Sequence, residues 1–251
     1  MFSYAGIFYY SSDFYVAVEK EEIIMKERSV FFTEAKISLP IYKVVYSAFF
    51  TVVLSIIRGV SFTNEIGGTL ESQMGLLAAV FCADTYAQEV ASGRWEINRL
   101  YPLENKMDLI WRRMAVQEIY LFLLGLTGYG LIYLFQNPIP YWQGEWGKEI
   151  LLFLMYVPAM AGTILLWGMM ANVIACIFRN MWAGAGVCLV FWIVVNSTYG
   201  DKIMGIWNPF SYTFREIEDT GNLSWILGKI LWLFGTILLA VVLRRLIRKR
   251  G

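Results

Sequence analysis

The residues with the most suggestive spacing lie in a polar stretch, 87–114, that separates two apolar segments of the chain. Glu89, Gly93, Glu96 and Pro102 follow one another within it. Acidic side chains form charge-assisted hydrogen bonds with basic residues of a partner or stabilise a helix N-terminus. Glycine allows a sharp turn out of a helix, and proline ends one. These residue types predict a docking surface for another protein and no bond-making chemistry.

The remaining composition also argues against a catalytic centre. Histidine, the commonest general base and metal ligand, is absent from the 251 residues. The three cysteines, Cys82, Cys176 and Cys188, stand far apart in apolar surroundings, which predicts buried packing thiols and neither a disulfide framework nor a zinc site. No nucleotide-binding Gly-x-x-x-x-Gly-Lys-Ser/Thr motif occurs. We therefore expect no enzyme activity, no metal and no cofactor bound by this chain.

The overall composition predicts a membrane protein. Hydrophobic residues make up 58% of the chain and charged residues only 16%, with a mean hydropathy of +0.53. A soluble domain of this length needs a far more polar exterior. The net charge of +1 gives no basic field that would attract nucleic acid. No internal repeat or low-complexity tract divides the chain, so we expect one membrane domain, 41–251, after an N-terminal segment, 1–40.

Six apolar stretches are long enough, or nearly so, to cross a hydrocarbon core of about 30 Å, which requires roughly 20 helical residues. They are 41–60, a stretch centred on 74–83, 119–135, 150–177, 182–197 and 225–243. The second stretch is weak, because 74–83 must borrow either 67–73 or 85–87 to reach across. Pro158 and Gly162 predict a kink in the fourth. The expected fold class is an all-α membrane protein with six transmembrane helices.

The N-terminal segment, 1–40, carries charges of both signs. Within it, 13–32 holds good helix formers, no Gly or Pro, and a loose apolar stripe. This pattern predicts an interfacial helix on the cytoplasmic surface of the membrane, ended by Pro40. A solvated charged arm is the alternative.

Lysine and arginine set the orientation expected for these spans. With the N-terminus inside, the inner segments hold most basic residues. The outer loops hold only Lys148, Lys202 and Arg215, with Arg58 and Lys229 at outer span ends. This distribution predicts that both termini and the 87–114 stretch are cytoplasmic. Aromatic residues suited to the outer interface precede the fourth and sixth spans: Tyr141, Trp142, Trp146, Trp207, Phe210 and Tyr212.

In that topology, the pattern Glu-x-x-x-Gly-x-x-Glu-x-x-x-x-x-Pro of 89–102 resembles the cytoplasmic coupling segment of ATP-binding-cassette type-2 transporter permeases. In that family the matching loop forms a short helix that docks into a groove on the ATPase. A similar acidic stretch, 65–71, lacks the proline and would lie outside the cell, so it is rejected. An ordinary basic loop that holds topology is the alternative for 87–114. The resemblance implies ATPase-coupling roles for Glu89, Gly93, Arg94, Glu96, Leu100, Tyr101 and Pro102.

Two further stretches are similar to the same family. A small-apolar-Arg-Asn turn at 175–180 implies that Arg179 and Asn180 contact the ATPase, with a plain helical hairpin turn as the alternative. The Pro-apolar-x-Tyr segment of 207–215 lies in the outer loop, 198–224. It implies short re-entrant outer helices before the last span, with an interfacial aromatic anchor as the alternative. The residues that carry this match are Asn208, Pro209, Phe210 and Tyr212.

The resemblance implies a permease subunit of an ATP-driven exporter in the bacterial plasma membrane. The ATPase would be a separate polypeptide, present in two copies, that binds the ATP and magnesium. With six spans per chain, a second permease copy is implied, as a homodimer or a paired heterodimer. Aromatic residues form 17% of the chain, which suits a hydrophobic or amphipathic cargo. Peptides, as in family members that export peptide toxins, modulins and bacteriocins, are the preferred class; drug-like molecules and lipid-linked glycans are the alternatives.

A standalone secondary transporter and a membrane assembly subunit are the other hypotheses. A secondary transporter typically shows intramembrane charges and an internal repeat, and we expect neither here. Asp84, near the end of the second span, is predicted to reach water at the cytoplasmic face or to pair with Arg94. Co-purification with a cassette ATPase would distinguish the exporter from both other hypotheses.

Overall fold

The computed structural model describes residues 33–86, 103–142, 144, 146–215 and 223–250. Over these ranges the chain is helical, apart from short connections and one isolated bridge between Phe62 and Ile139. A short helical segment at 33–38 precedes the main helices. These are α1 (Ile41–Ile57), α2 (Thr63–Cys82), α3 (Leu103–Gln136), α4 (Trp146–Phe178), α5 (Met181–Val195), α6 (Thr198–Met204) and α7 (Ser224–Arg250), with a 3-10 turn at Gly205–Trp207.

Successive long helices run in opposite directions and form a bundle with two ends. At one end, the Lys43 ammonium near the start of α1 lies 2.6 Å from Asp84, just beyond α2. At the other, the Gln136 amide at the end of α3 donates to the Ser55 carbonyl at 2.7 Å. We call these the Asp84 end and the Asn208 end, since Asn208 lies at the second.

Four helices are long and apolar enough to cross a membrane: Thr63–Tyr86, Met107–Gln136, Trp146–Phe178 and Ser224–Lys249. A fifth crossing results if the bent pair Met181–Val195 and Thr198–Trp207, which meet at 76°, counts as one span. Helix α1 is apolar but has only 17 residues. The described part of the chain is therefore an all-α, multi-pass membrane protein with four or five candidate spans, where the sequence predicts six.

Helix α2 is the centre of the bundle, which explains why its sequence is a weak span. Inside the molecule, 78% of its apolar window is buried, against 22% for the windows of α3 and α7. A helix that faces protein and not lipid tolerates glycines and hydrogen-bonded polar residues. Because α2 begins at Thr63, residues 67–73 complete the predicted span around 74–83. Helix α4 likewise continues through Pro158, where the sequence predicts a kink.

Glycines on α2 allow neighbouring side chains to approach its backbone closely. A Cβ at Gly67 would lie 2.6 Å from the Tyr212 hydroxyl, and one at Gly75 would lie 3.0 Å from Thr163 and Trp167. Both distances are shorter than ordinary van der Waals contact. Glycine at these two positions therefore lets α4 and the chain after the 3-10 turn pack directly on α2.

The apolar side chains form two clusters, and the cysteines lie inside them or beside them. The larger cluster joins α2, α4 and the residues after the 3-10 turn. The smaller one, at the Asp84 end, joins the beginning of α3 to the end of α7. Cys82, Cys176 and Cys188 are all buried, which confirms the prediction of buried thiols.

Residues 33–38 are docked on α3. The Arg113 guanidinium donates to the Glu34 carboxylate at 2.5 Å, and the Gln117 amide donates to the Ser38 carbonyl at 3.2 Å. Glu34 and Ser38 are 8% and 2% exposed. The chain just before Pro40 is thus packed on the bundle, whereas the interfacial helix predicted over 13–32 lies outside the described residues.

Gly228 provides a test of close packing between α7 and the 3-10 turn. A Cβ at Gly228 would collide with the Ile206 carbonyl oxygen and lie 2.9 Å from the Ser211 hydroxyl, whereas at Gly235 the nearest atom would be at 3.5 Å. We expect Gly228→Ala to lower the free energy of unfolding by about 1–3 kcal/mol, because backbone must move. Thermal unfolding of the detergent-solubilised chain, followed by labelling of its buried thiols, measures this.

Gly235→Ala, on the same helix, is the matched control. It should be neutral or raise stability by up to about 1 kcal/mol through helix propensity. Equal melting temperatures for the two variants would show that α7 does not pack tightly against the turn.

Candidate functional site

The chain after the 3-10 turn, Asn208–Arg215, turns back into the bundle and is the least regular buried part of the described structure. The Asn208 amide donates to the Val195 carbonyl at 3.0 Å, and its oxygen accepts from the Phe210 amide at 2.8 Å. The Phe210 ring stacks on Trp167 with centroids 5.4 Å apart. Phe210 and Tyr212 are 0% and 1% exposed. Both rings are therefore packed inside the protein, unlike the rings of an interfacial anchor.

Polar side chains of this segment donate to backbone carbonyls of neighbouring elements. The Ser211 hydroxyl donates to the Trp225 carbonyl at 2.9 Å, and Thr213 donates to the Gly68 carbonyl at 3.1 Å. The Arg215 guanidinium lies 3.7 Å from the centroid of the Tyr212 ring and donates to the Asn64 carbonyl at 3.1 Å. Non-helical backbone at membrane depth is stable only when protein satisfies its hydrogen bonds. The segment's own backbone meets that requirement: the Phe210 amide donates to the Asn208 side chain, the Pro209 carbonyl accepts from the Lys229 ammonium, and the Ser211 and Phe214 amides donate to the Asn208 and Phe210 carbonyls.

A buried ion pair lies directly beneath the segment. The Lys229 ammonium of α7 forms a salt bridge with the Glu71 carboxylate of α2. The same ammonium donates to the Pro209 carbonyl at 2.6 Å and to the Thr163 hydroxyl at 2.7 Å. The carboxylate also accepts from Thr163 at 2.8 Å and from Thr213 at 2.6 Å. The pair therefore joins α2, α4, α7 and the Asn208–Arg215 segment at one point, which we call the Glu71 cluster.

The Glu71 cluster satisfies the conditions under which charges can be buried. Glu71 is 0% exposed and Lys229 8% exposed. Removing two ions from water costs several kcal/mol each, and only close pairing with additional hydrogen bonds offsets that cost. Each partner here has at least two further hydrogen bonds. The cluster is thus stable as a unit, and the loss of one partner leaves the other unpaired inside the bundle.

A second buried ion pair occupies the Asp84 end. The Lys43 ammonium donates to Asp84 at 2.6 Å and to the Phe81 carbonyl at 2.8 Å, and it lies 4.7 Å from the centre of the Phe81 ring. The side chains of Lys43 and Asp84 are 3% and 12% exposed. The prediction that Asp84 reaches water is therefore wrong, because Lys43, and not solvent, neutralises it. The other predicted partner, Arg94, lies outside the described residues.

The residues predicted to couple to an ATPase divide into two groups. Glu89, Gly93, Arg94, Glu96, Leu100, Tyr101 and Pro102 lie outside the described residues. Arg179 and Asn180 form the turn between α4 and α5 at the Asp84 end, and both are exposed. Arg179 has a left-handed φ of 53°, and the Asn180 side chain accepts from the Trp182 amide at 2.8 Å. The structure confirms the predicted tight turn, which consists of these two residues.

The buried charges are not predicted by the sequence pattern. From the sequence, no intramembrane charge is expected, Lys229 lies at a span end, and Glu71 belongs only to the rejected 65–71 stretch. The structure contradicts that expectation, because Glu71, Lys229 and Lys43 are buried within helices. One pattern in the sequence could have revealed the pair. Glu71 lies in a weakly apolar span and Lys229 in a strongly apolar span, and a charged residue is unexpected in lipid unless it is paired.

Within the described residues, no group of three or more His, Cys, Asp or Glu side chains is arranged to hold a metal ion. The Glu71 cluster has one carboxylate, two hydroxyls and an ammonium that already occupies the position a cation would take. What this arrangement can do is hold four chain segments together, or release them together.

No protein-family model matches the chain, and no curated protein or solved structure matches it either. Its class therefore rests on its own fold: an all-helical, multi-pass membrane protein with charges paired in its interior.

Proposed function

We propose that the chain is the permease subunit of an ATP-driven exporter, which moves a hydrophobic or amphipathic cargo out of a bacterial cell. The proposal includes six spans, with α1 and the bent α5–α6 pair each crossing the membrane, and two cytoplasmic termini. A separate ATPase would supply the energy. The chain itself would make and break no bonds.

The observation that most supports this proposal is the re-entry of the Asn208–Arg215 segment. A permease that alternates between two access states needs one end that is closed in one state and can open in the other. The segment closes the Asn208 end between α2, α4 and α7, and its polar contacts converge on the Glu71 cluster. The sequence resemblance implies a re-entrant outer segment at this point of the chain.

The distribution of basic residues supports the orientation. Among described residues the Asp84 end is the more basic, as cytoplasmic ends are. It carries Lys36, Arg112, Arg113, Arg179, Arg244, Arg245, Arg248 and Lys249, whereas the Asn208 end carries Arg58, Lys148, Lys202 and Arg215. With the Asp84 end inside, the 87–102 stretch between α2 and α3 faces the cytoplasm, where an ATPase would be.

The proposed mechanism is a mechanical one. ATP binding would close two ATPase subunits on each other and push the 87–102 stretch and the exposed Arg179–Asn180 turn. Because that stretch follows α2 in the chain, and α2 occupies the centre of the bundle, displacement of α2 would act on the Glu71 cluster. Two permease copies would then rock between inward-facing and outward-facing states. A peptide is the preferred cargo.

The test is the effect of Glu96→Lys on coupling. We expect this variant to fold and to reach the membrane, but to move about tenfold less cargo for each ATP hydrolysed, because a charge-assisted contact with the ATPase is reversed in sign. The measurement uses the chain purified with its ATPase from the source membrane and reconstituted in vesicles. Transport and ATP hydrolysis are recorded on the same sample.

Glu104→Lys makes the same charge change outside the matched spacing and should leave the coupling ratio unchanged. Equal ratios in both variants and the unaltered chain would remove the coupling role. A chain that purifies from its own membrane without any nucleotide-hydrolysing subunit would remove the exporter proposal itself.

A standalone secondary transporter is the second candidate, and the buried charges favour it more than the sequence alone does. Ion pairs inside a bundle are typical of ion and proton pathways. The discriminating measurement is the energy source: cargo movement driven by an ion gradient in vesicles that contain this chain alone supports the second candidate and contradicts the first.

A further inference from the structure

One buried carboxyl is not accounted for by the ion pairs described above. Glu118 lies on α3, and its Oε1 atom is shielded from solvent yet has no hydrogen-bond partner among the residues that the structure describes. The buried basic groups Lys43, Arg113 and Lys229 are paired with Asp84, Glu34 and Glu71. A buried polar group without a partner is costly, so such a group in a native protein requires an explanation.

The packing around Glu118 places its carboxyl in a crevice between α2, α3 and α4. A Cβ added to Gly168 of α4 would lie 3.2 Å from Glu118 Oε1 and 3.1 Å from Cys82 Sγ. Any larger residue at position 168 would press on the carboxyl. Glycine at this position therefore leaves space for the acid beside α4, although neither α4 nor α2 offers it a donor.

Glu118 also lines a groove that opens on the side of the bundle. The groove has a volume of about 340 Å³. Ile119 and Leu165 on its two walls are 58% and 38% exposed, so the opening faces the hydrocarbon of a membrane and not either end of the bundle. Glu118 is its single ionisable residue among described ones; the others are Ala115, Ile119, Phe122, Ala161, Ile164 and Leu165.

We propose that this Glu118 groove binds a single-chain cationic amphiphile that enters sideways from the lipid. The apolar walls suit a hydrocarbon chain, and Glu118 as the one acidic lining residue suits an ammonium that can donate a hydrogen bond to its carboxylate. The volume is at the low end for ligand sites, which favours one alkyl chain over a folded peptide. As a cargo site the groove depends on the proposed export function, but its capacity to bind does not.

The experiment measures binding of radiolabelled dodecylammonium to the full chain in lipid nanodiscs, with empty nanodiscs subtracted for partition into lipid. Dodecanol, of the same length but neutral, is the comparison probe. We expect saturable binding of the ammonium, weakened at least tenfold in Glu118→Gln, and dodecanol binding that this substitution leaves unchanged. Asp108→Asn, an exposed acid on the same helix, is the matched control and should bind both probes as the unaltered chain does.

Leu165→Trp provides a second variant that fills the groove and keeps the carboxyl. It should abolish ammonium binding, so it decides the matter even if Glu118→Gln does not fold. Ammonium binding that is absent in the unaltered chain, unaffected by Glu118→Gln, or equalled by dodecanol would overturn the proposal. A disulfide between two copies carrying Ile119→Cys would also overturn it, by showing that a second chain covers the groove.

The outcome is separable from the test of export. Binding to the isolated chain requires no ATPase, so loss of the exporter proposal would leave a positive result intact. Conversely, coupled ATP hydrolysis without ammonium binding would remove only the groove as a site.

Discussion

Replacing Lys229 by methionine lowers the free energy of unfolding by about 3–5 kcal/mol, because Glu71 is left as an unpaired charge in the bundle. Glu71 is 0% exposed and cannot reach water without a rearrangement of α2. The substitution also frees the Pro209 carbonyl, which accepts from the same ammonium. We expect a large fall in melting temperature, and the rate at which the three buried cysteines react with a thiol-specific dye measures it.

The double variant Glu71→Gln with Lys229→Met should recover most of that loss. It removes both charges. Thr163 and Thr213 face different oxygens of Glu71, so the amide oxygen of glutamine accepts from one hydroxyl and its NH2 group donates to the other. The hydroxyl that faces the NH2 group has an alternative acceptor, the Ala159 carbonyl for Thr163 or the Gly68 carbonyl for Thr213, so neither becomes unsatisfied. Lys202→Met, at an exposed lysine near the same end, controls for the loss of positive charge. If Lys229→Met alone were as stable as Lys202→Met, the ion pair would contribute nothing to stability.

Replacing Arg113 by methionine should undock residues 33–38 without unfolding the bundle. The guanidinium holds Glu34 at 2.5 Å, and hydrogen bonds to charged groups contribute about 1.5–3 kcal/mol. Because residues 33–38 can move into water without unfolding the bundle, loss of the Arg113–Glu34 contact lowers the free energy of local opening of this segment. We expect hydrogen exchange of the Leu39 amide, which donates to the Ala35 carbonyl, to accelerate by roughly 10- to 150-fold. Mass spectrometry of the exchanging peptide measures it.

The neighbouring Arg112 provides the matched control, because it is exposed while Arg113 is 4% exposed. Arg112→Met removes the same charge one position away and should leave exchange unchanged. Equal acceleration in both variants would mean that general electrostatics, and not the Glu34 contact, holds the segment.

Hydropathy predicted the strongly apolar helices well, because side chains that face lipid are apolar and a hydropathy scale detects them. The stretches 119–135 and 225–243 lie wholly within α3 and α7. Hydropathy failed for the helix that is surrounded by protein and not by lipid. The α2 sequence is only weakly apolar, because its polar residues and glycines face other parts of the bundle. The apolar pattern of 182–197 also contains no indication of the 76° bend that follows Val195. That bend depends on local hydrogen bonds, such as the one from the Gly200 amide to the Ser197 hydroxyl at 3.1 Å.

The candidate site was harder to predict than the fold, because its partners are distant in sequence. Sequence order does not reveal which basic residue meets Glu71, because the pairing depends on how α2 and α7 pack together. The 208–212 match lies in the segment that turns back into the bundle, but the buried partners of that segment are seen only in the packing. The coupling roles of 89–102 lie outside the described residues and stay predictions.

Glu71 enters the membrane long before its partner exists. At about 5–20 residues per second, a ribosome needs roughly 8–30 s to add the 158 positions that lead to Lys229. An ionised residue at the centre of a helix costs about 2.5–3.5 kcal/mol on insertion. The second apolar helix is therefore poorly retained in the bilayer until the last one emerges. Unfinished chains carry an unneutralised acid that finished chains do not, and this difference allows membrane proteases and insertion factors to distinguish the two.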